Sequence, residues 1–238
     1  MNTGKTAPAL ALGFFILLGL AALGWQLGDA ALRFKAYERT VTVKGLSERE
    51  YPADIVIWPI AFTEAGNDLG SVYGQLETSA GHIRDYLHSR GIDDAAITVS
   101  APSITDKSAQ NWSESQAELR YVANQTVTVY SEDVATVRAA MSGLVELGKR
   151  GIVIGSDMYG SRVEYLFTRL NEVKPEMIEE ATTAAREIGE KFAEDSRSRL
   201  GKIRTASQGQ FSIEPRDTNN PHIKKVRVVS TVEYYLSD

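Results

Sequence analysis

The residues best able to do chemistry fall into a few sparse groups. Residues 143–150 read GLVELGKR, one residue short of a phosphate-binding loop. Such a loop needs backbone N–H groups converging at a helix N-terminus and a hydroxyl after the lysine to hold magnesium. Arg150 stands where the hydroxyl belongs, and the run ends an amphipathic helical pattern instead of opening one. Nucleotide binding is not expected there. Gly151, Gly155 and Gly160 do not make a dinucleotide fingerprint and are expected to serve turns. No Gly-x-Ser-x-Gly nucleophile elbow occurs. His82 and His88 share one helical pattern but stand six apart, on different faces, whereas a helical metal pair needs a spacing of three or four. These two and His222 are expected at the surface. Asp54 and Glu64 flank a strand pattern and have the chemistry of an acid–base pair, but nothing in the sequence brings them together. No catalytic, cofactor-binding or metal-binding residue is assigned on these grounds. Trp112 lies in a polar stretch, either as a partner contact or packed back on its own domain. Asn111-Trp112-Ser113 and Asn124-Gln125-Thr126 match glycosylation sequons, relevant only in a glycosylating pathway.

Composition narrows the classes further. The 238 residues are 43% hydrophobic and 24% charged, a globular balance, with net charge −5 and pI about 5.4. That balance argues against a dedicated nucleic-acid binder. Two short basic clusters, Arg197, Arg199, Lys202 and Arg204, then Lys224, Lys225 and Arg227, read as a solvated helix end and a charge-protected strand edge. The alternative is a contact with anionic lipid or another polyanion. The chain has no cysteine, so disulfides, thiolate nucleophiles and cysteine-ligated metal sites are excluded.

Residues 9–27, ALALGFFILLGLAALGWQL, carry no charge. As a helix they span about 28 Å, close to the hydrocarbon thickness of a bilayer. Seven Leu, two Phe and one Ile favour insertion by roughly 3–6 kcal/mol, offset in part by glycines and Gln26. Two readings stay open. One is an uncleaved signal anchor, which the length of the run favours; the other is a signal peptide cut after Gly28-Asp29-Ala30. Residues 1–35 are therefore set apart from a folded part, 36–238. Lys5 precedes the span, while Arg33, Lys35, Arg39 and Lys44 follow it, so a count of basic residues would keep the folded part cytoplasmic. Long domains translocate largely regardless of that count.

The folded part reads as α+β. Strand alternation covers residues 40–46 and 55–63, with a turn at Tyr51-Pro52-Ala53-Asp54; Pro59 demands an edge or a bulge. Asn67 and Asp68 open a helix running to about residue 90, with Leu69, Val72, Leu76, Ile83 and Leu87 inward and Gly91 closing it. Strands follow at 97–104 and 119–130 around a polar loop, 105–118, and then a helix from Ser131-Glu132-Asp133 with Val134, Val137, Met141, Leu144 and Leu147 inward. The second half repeats the layout: strand 161–170, helix 172–200, strands 202–213 and 226–236. Residues 126–133 (TVTVYSED) and 231–238 (TVEYYLSD) resemble each other. A duplicated strand–helix–strand–strand unit is expected, forming mainly antiparallel sheet with helices packed on it. In the long helix, Ile178, Ala181, Ala185, Ile188 and Phe192 form a stripe expected to lie on its own sheet, with an oligomer contact as the alternative.

Val41-x-Val43-x-Gly45, then Pro52-Ala53-Asp54 with Ile55, Ile57 and Ile60, resembles the opening of the SIMPL domain family. The likeness continues through Gly91-Ile92, Ile97-Thr98-Val99, Tyr121-x-Ala123 with Val127 and Val129, the helix around Ala181, Ala184 and Ala185, and Leu200-Gly201-Lys202-Ile203. It departs from the family where Ala53 separates Pro52 from Asp54 and where Ser47 replaces a second glycine. The resemblance implies a bacterial extracytoplasmic domain behind a signal or anchor, hence a single-pass inner-membrane protein with its C-terminal domain in the periplasm. It also implies self-association as a homo-oligomer, loose links to envelope or oxidative-stress physiology and no established enzymatic activity, and it carries over no catalytic residue.

Overall fold

A computed structural model describes residues 6–36, 39–109, 119–155 and 162–237. The chain is α+β, with antiparallel sheets and helices packed on them. The first element, α1 (Thr6–Ala36), is apolar. Within it Leu12–Ala30 has a mean hydropathy of 1.5 and no buried residue. The remaining chain forms two compact units interleaved along the sequence: Arg49–Val173 with Ile213–Val226, and Lys174–Ser212 with Arg227–Asp238 and the stretch up to Glu48. Two successive strand–helix–strand–strand copies are not confirmed. The units are not consecutive halves, and their sheets differ in strand number and order.

The unit containing Arg49–Val173 is built on β2 (Ile55–Gly66) and β5 (Tyr121–Ser131), which pair without a register shift from Val56–Ser131 to Gly66–Tyr121. Short strands complete the sheet. β3 (Ile97–Val99) and β4 (Ser103–Asp106) flank β5, while β6 (Val153–Ile154) and β7 (Glu164–Leu166) flank β2. The expected single strands at 97–104 and 161–170 are thus shorter; Pro102 lies in the interruption of the first, and Leu170 already begins a helix. Ser161 lies outside the described residues. Pro59 sits inside the sheet and without a bulge, yet its rule holds locally. Among the described residues no strand pairs with 58–60 on the side away from β5, so no ladder lacks its donor.

Helix α2 (Leu69–Ser89) starts where Asp68 accepts a hydrogen bond from Ser71 N at 2.8 Å and ends before Gly91, whose φ of +81° suits glycine. It lies on β2 and β5. Val72, Leu76, Ile83, Tyr86 and Leu87 meet Trp58, Ile60 and Phe62 in the core, while Leu69 is exposed. The helix expected after residue 133 breaks in two, α3 (Val134–Met141) and α4 (Val145–Lys149). Asp133 caps the first through Thr136 N at 2.9 Å.

In the other unit, α5 (Leu170–Asp195) and a sheet share a core. The sheet has β10 (Ile223–Ser237) between β1 (Thr40–Pro52) and β8 (Arg199–Gln208); β9 (Ser212–Pro215) pairs with the start of β10, in the first unit. β8 and β10 run antiparallel, with two irregularities between Glu233 and Leu236. The chain leaves α5 earlier than residue 200 because Arg197 turns left-handed, φ 53°, and Ser198 N closes on Ala193 O. Ala181 and Ala185 of the expected inward stripe are buried as read, while its ends are corrected by about one position. Met177, Ala181, Ala185, Gly189 and Ala193 face inward, whereas Ile188 and Phe192 are 38% and 54% exposed. The cause is a close approach: a Cβ on Gly45 of β1 would lie 1.8 Å from Ala181 O and 2.4 Å from Ala185 N. Large side chains on the inward stripe would hold the backbones apart. Gly45→Ala should therefore destabilise the chain by about 3 kcal/mol or more. Chemical unfolding with unchanged midpoint and slope would contradict this packing.

Candidate functional site

Asp54 ends the turn between β1 and β2 and faces the segment that opens α5. Its carboxylate accepts from Thr168 N at 2.9 Å, Thr168 Oγ1 at 3.1 Å, Arg169 N at 3.2 Å and Arg169 Nε at 3.3 Å. Ala53, Ile55 and Glu132 complete a depression of 480 Å³ around it. All four contacts converge on Oδ2, and Thr168 N also lies 3.0 Å from Oδ1, so the carboxylate works as a clamp between segments 114 residues apart. Glu64 sits at the far end of β2 and accepts from Ser79 Oγ of α2 at 2.6 Å. Ten residues of strand separate the two carboxylates by about 33 Å. They are not an acid–base pair.

The phosphate-loop likeness fails in three dimensions as well. Gly143 N bonds Ala140 O, Gly148 N bonds Leu144 O and Gly151 N bonds Gly148 O, all helix-type bonds that aim the amides back along the chain. Gly143 has a packing role. A Cβ there would meet the Tyr86 hydroxyl, which donates to Ala140 O, at 2.5 Å. Arg90 lies 5.2 Å above the Tyr86 ring and pairs with Glu146.

The histidines are dispersed. His82 is half-buried on α2; His88 is exposed and meets Asp94 at 3.0 Å. No group of metal-ligating side chains occurs among the described residues. His222 is half-buried like His82, with its ring 6.0 Å from that of Tyr165 at 61°. Burial lowers its pKa, Arg138 and Arg216 lower it further, and Asp217 opposes them. Beside it Tyr51 stacks on Phe167, centroids 5.2 Å apart and planes 17° apart. The basic cluster at 224–227 is also corrected. β10 is a central strand, not an edge, and Lys224 is buried. Sequence reasoning missed this aromatic and basic group, although Lys224 keeps the strand phase of Val226, Val228, Val232 and Tyr234, the buried face.

Elsewhere carboxylates hold turns. Asp106 takes both Arg120 Nε and Nη2 (3.2 and 2.8 Å), and that guanidinium holds its carboxyl well below the usual range. Asp217 accepts from Arg216 Nε, Asn219 N and Asn220 N within 2.8–2.9 Å, lowering its pKa to about 2. Asn124 of the second sequon is a half-buried member of β5 whose Oδ1 accepts from Thr63 Oγ1 at 2.7 Å, a poor place for a glycan. Asn111 and Trp112, with 110–118, lie outside the described residues, as does Gly160.

Two outcomes test these assignments. Asp54→Ala should cost about 1 kcal/mol in chemical denaturation, because it removes charge-assisted bonds to two backbone N–H groups and an arginine whose exposed donors then turn to water. A depressed histidine pKa means the unfolded chain takes up a proton before the folded one. The stability His222 contributes is complete above about pH 6.5 and is lost as pH falls from there towards the folded value. His222→Gln should flatten the stability–pH curve over that window; an unchanged slope would show that His222 protonates equally in both states.

Compared with known protein families, residues 41–233 match SIMPL, described as a protein of unknown function (DUF541). Comparison with curated proteins finds no match. The strands β1, β2 and β5, the helices α2 and α5 and the Pro52-Ala53-Asp54 turn with its clamp on Thr168 and Arg169 all fall within the matched span, and the chain belongs to the SIMPL (DUF541) family.

Proposed function

We propose that the chain is a membrane-tethered, periplasm-facing assembly module without catalytic chemistry of its own, held in a bacterial inner membrane by α1. The carrying observation is Leu12–Ala30: nineteen residues, mean hydropathy 1.5, none of them buried by the protein. A helix this apolar gains by entering lipid, since none of the described residues covers it and its backbone is satisfied internally. Trp25, 81% exposed near the end of that run, suits the interface between acyl chains and headgroups. The family resemblance supports the periplasmic side for the folded part, and the length of that part makes the count of flanking basic residues a weak opposing signal.

The absence of catalysis is supported by how the candidate carboxylates are used. Asp54 and Glu64 are committed to holding segments together. Self-association as a homo-oligomer is supported by Ile188 and Phe192, exposed on α5, and by the ten- and thirteen-residue outer strands β8 and β1. A second reading, a small-ligand or unfolded-protein binder, is favoured by an 890 Å³ groove along α2 lined by Tyr73, Glu77, Arg84, Val99, Pro102 and Gln125.

Full-length protein should remain in the membrane fraction after alkaline carbonate, and a reporter fused after Asp238 should read as periplasmic. In detergent, light scattering should give more than one chain per particle. Release by carbonate would remove the tether, a cytoplasmic reporter would reverse the orientation, and a strict monomer at high concentration would remove the assembly.

A further inference from the structure

Lys224 is the only charged side chain among the described residues that is buried, at 8% exposure. It has no ion pair, and burial alone lowers its pKa, with no neighbouring carboxylate acting on it. The hydroxyl of Tyr51 is buried and has no hydrogen-bond partner. The two belong together. Ala53 N, just after β1, donates to His222 O, just before β10, at 2.8 Å, and in the antiparallel register that bond sets, Tyr51 stands directly opposite Lys224. Opposite residues put their side chains on one face with Cβ atoms about 5 Å apart. Stacking on Phe167 holds the phenol in place.

A buried donor without an acceptor, as the Tyr51 hydroxyl is, is costly and rare in folded chains, and beside it Lys224 brings a positive charge that no carboxylate balances. A lysine stem can bend its ammonium towards water, but a stacked tyrosine cannot follow. One kind of group answers both donors at once: an oxygen anion, which accepts from N⁺–H and O–H through separate lone pairs. We propose that Lys224 and Tyr51 form a binding site for a small oxyanion, the carboxylate or phosphate terminus of a ligand. Residual exposure of 8% at the lysine limits the occupant to a terminal group at the rim. The site rests on neither the tether nor the assembly reading, since every residue in it belongs to the unit containing Arg49–Val173 and Ile213–Val226.

The test uses the full-length protein in detergent and follows thermal unfolding with inorganic phosphate or with acetate against chloride at equal ionic strength. An anion at ten times its dissociation constant should raise the midpoint by about 3–6 °C. Lys224→Met should abolish the rise and Tyr51→Phe should reduce it. A rise with phosphate alone, or with acetate alone, assigns the ligand class. No rise with either anion up to about 10 mM, or an equal rise in wild type and Lys224→Met, overturns the site. If Lys224→Met does not fold, reductive ¹³C-methylation of the wild type supplies the readout. The Lys224 dimethylamine signal should titrate to higher pH when the anion is added; a Lys224 signal indifferent to both anions overturns the proposal equally.

Discussion

The approach of α5 to β1 at Gly45 governs the smaller core. With Ala181 O only 1.8 Å from where a Cβ would stand, helix and strand backbones touch almost directly. Dispersion falls steeply with separation, so such contact gains what large side chains would otherwise supply. It also keeps the inward residues from 181 onward small, after the buried Met177. Ala181, Ala185, Gly189 and Ala193 follow at intervals of four, and Gly189 leaves 3.3–3.5 Å to Leu200 and Tyr234 for any added methyl. Ser47, buried on the same face of β1, can be polar because its hydroxyl reaches Glu180 at 3.0 Å. The larger apolar residues of the helix, Ile188 and Phe192, are left at its flank.

The unit built on β2 and β5 solves burial the opposite way. Trp58, Ile60 and Phe62 meet Leu76, Ile83 and Leu87, and volume fills the gap between helix and sheet. Polar groups then do the joining. Asp54 ties the β1–β2 turn to the start of α5, Asp106 ties β4 to Arg120 before β5, and Asp217 closes the turn between β9 and β10. All three stand at ends of strands, where backbone donors run out of ladder partners. Carboxylates thus appear in this chain where a segment must be fixed. That pattern explains why acidic residues flanking strands looked like chemistry and serve as fasteners.

Local signals were legible and distant ones were not. Asp68, Asp133 and Gly91 cap α2 and α3 as read, because a cap depends on a few neighbouring residues. The apolar run of α1 was legible for the same reason. Alternation found the strands but overstated 97–104 and 161–170, since a period of two cannot tell where pairing stops. On α5 the stripe was right at Ala181 and Ala185 and wrong at Ile188 and Phe192, where hydrophobic size pointed inward although the sheet demanded smallness, a demand carried by Gly45, 136 residues before Ala181. The clamp of Asp54 on Thr168 joins residues 114 apart and leaves no periodic trace. Lys224 was the reverse case. Its phase with Val226 and Val228 placed it inward, but its charge and its two basic neighbours drew the reading to an edge.

Sheet edges link the fold to the proposed assembly. The sheet of β2 and β5 ends in strands of two to four residues, too short to template a partner. The sheet around β10 is bounded by β1 and β8, thirteen and ten residues long. Charges guard much of them: Lys44, Glu48, Arg49 and Glu50 on β1, and Arg199, Lys202 and Arg204 on β8. Residues 205–208, Thr-Ala-Ser-Gln, carry none. A guarded edge forms weak contacts, which in free solution would not repay the entropy of association. A tether changes that balance by confining the domains to one plane and raising their effective concentration, so that contacts too weak for soluble chains become sufficient. In the proposed assembly the exposed helix and the incompletely guarded edge work as a pair: the first would supply the proximity that the second lacks the strength to enforce.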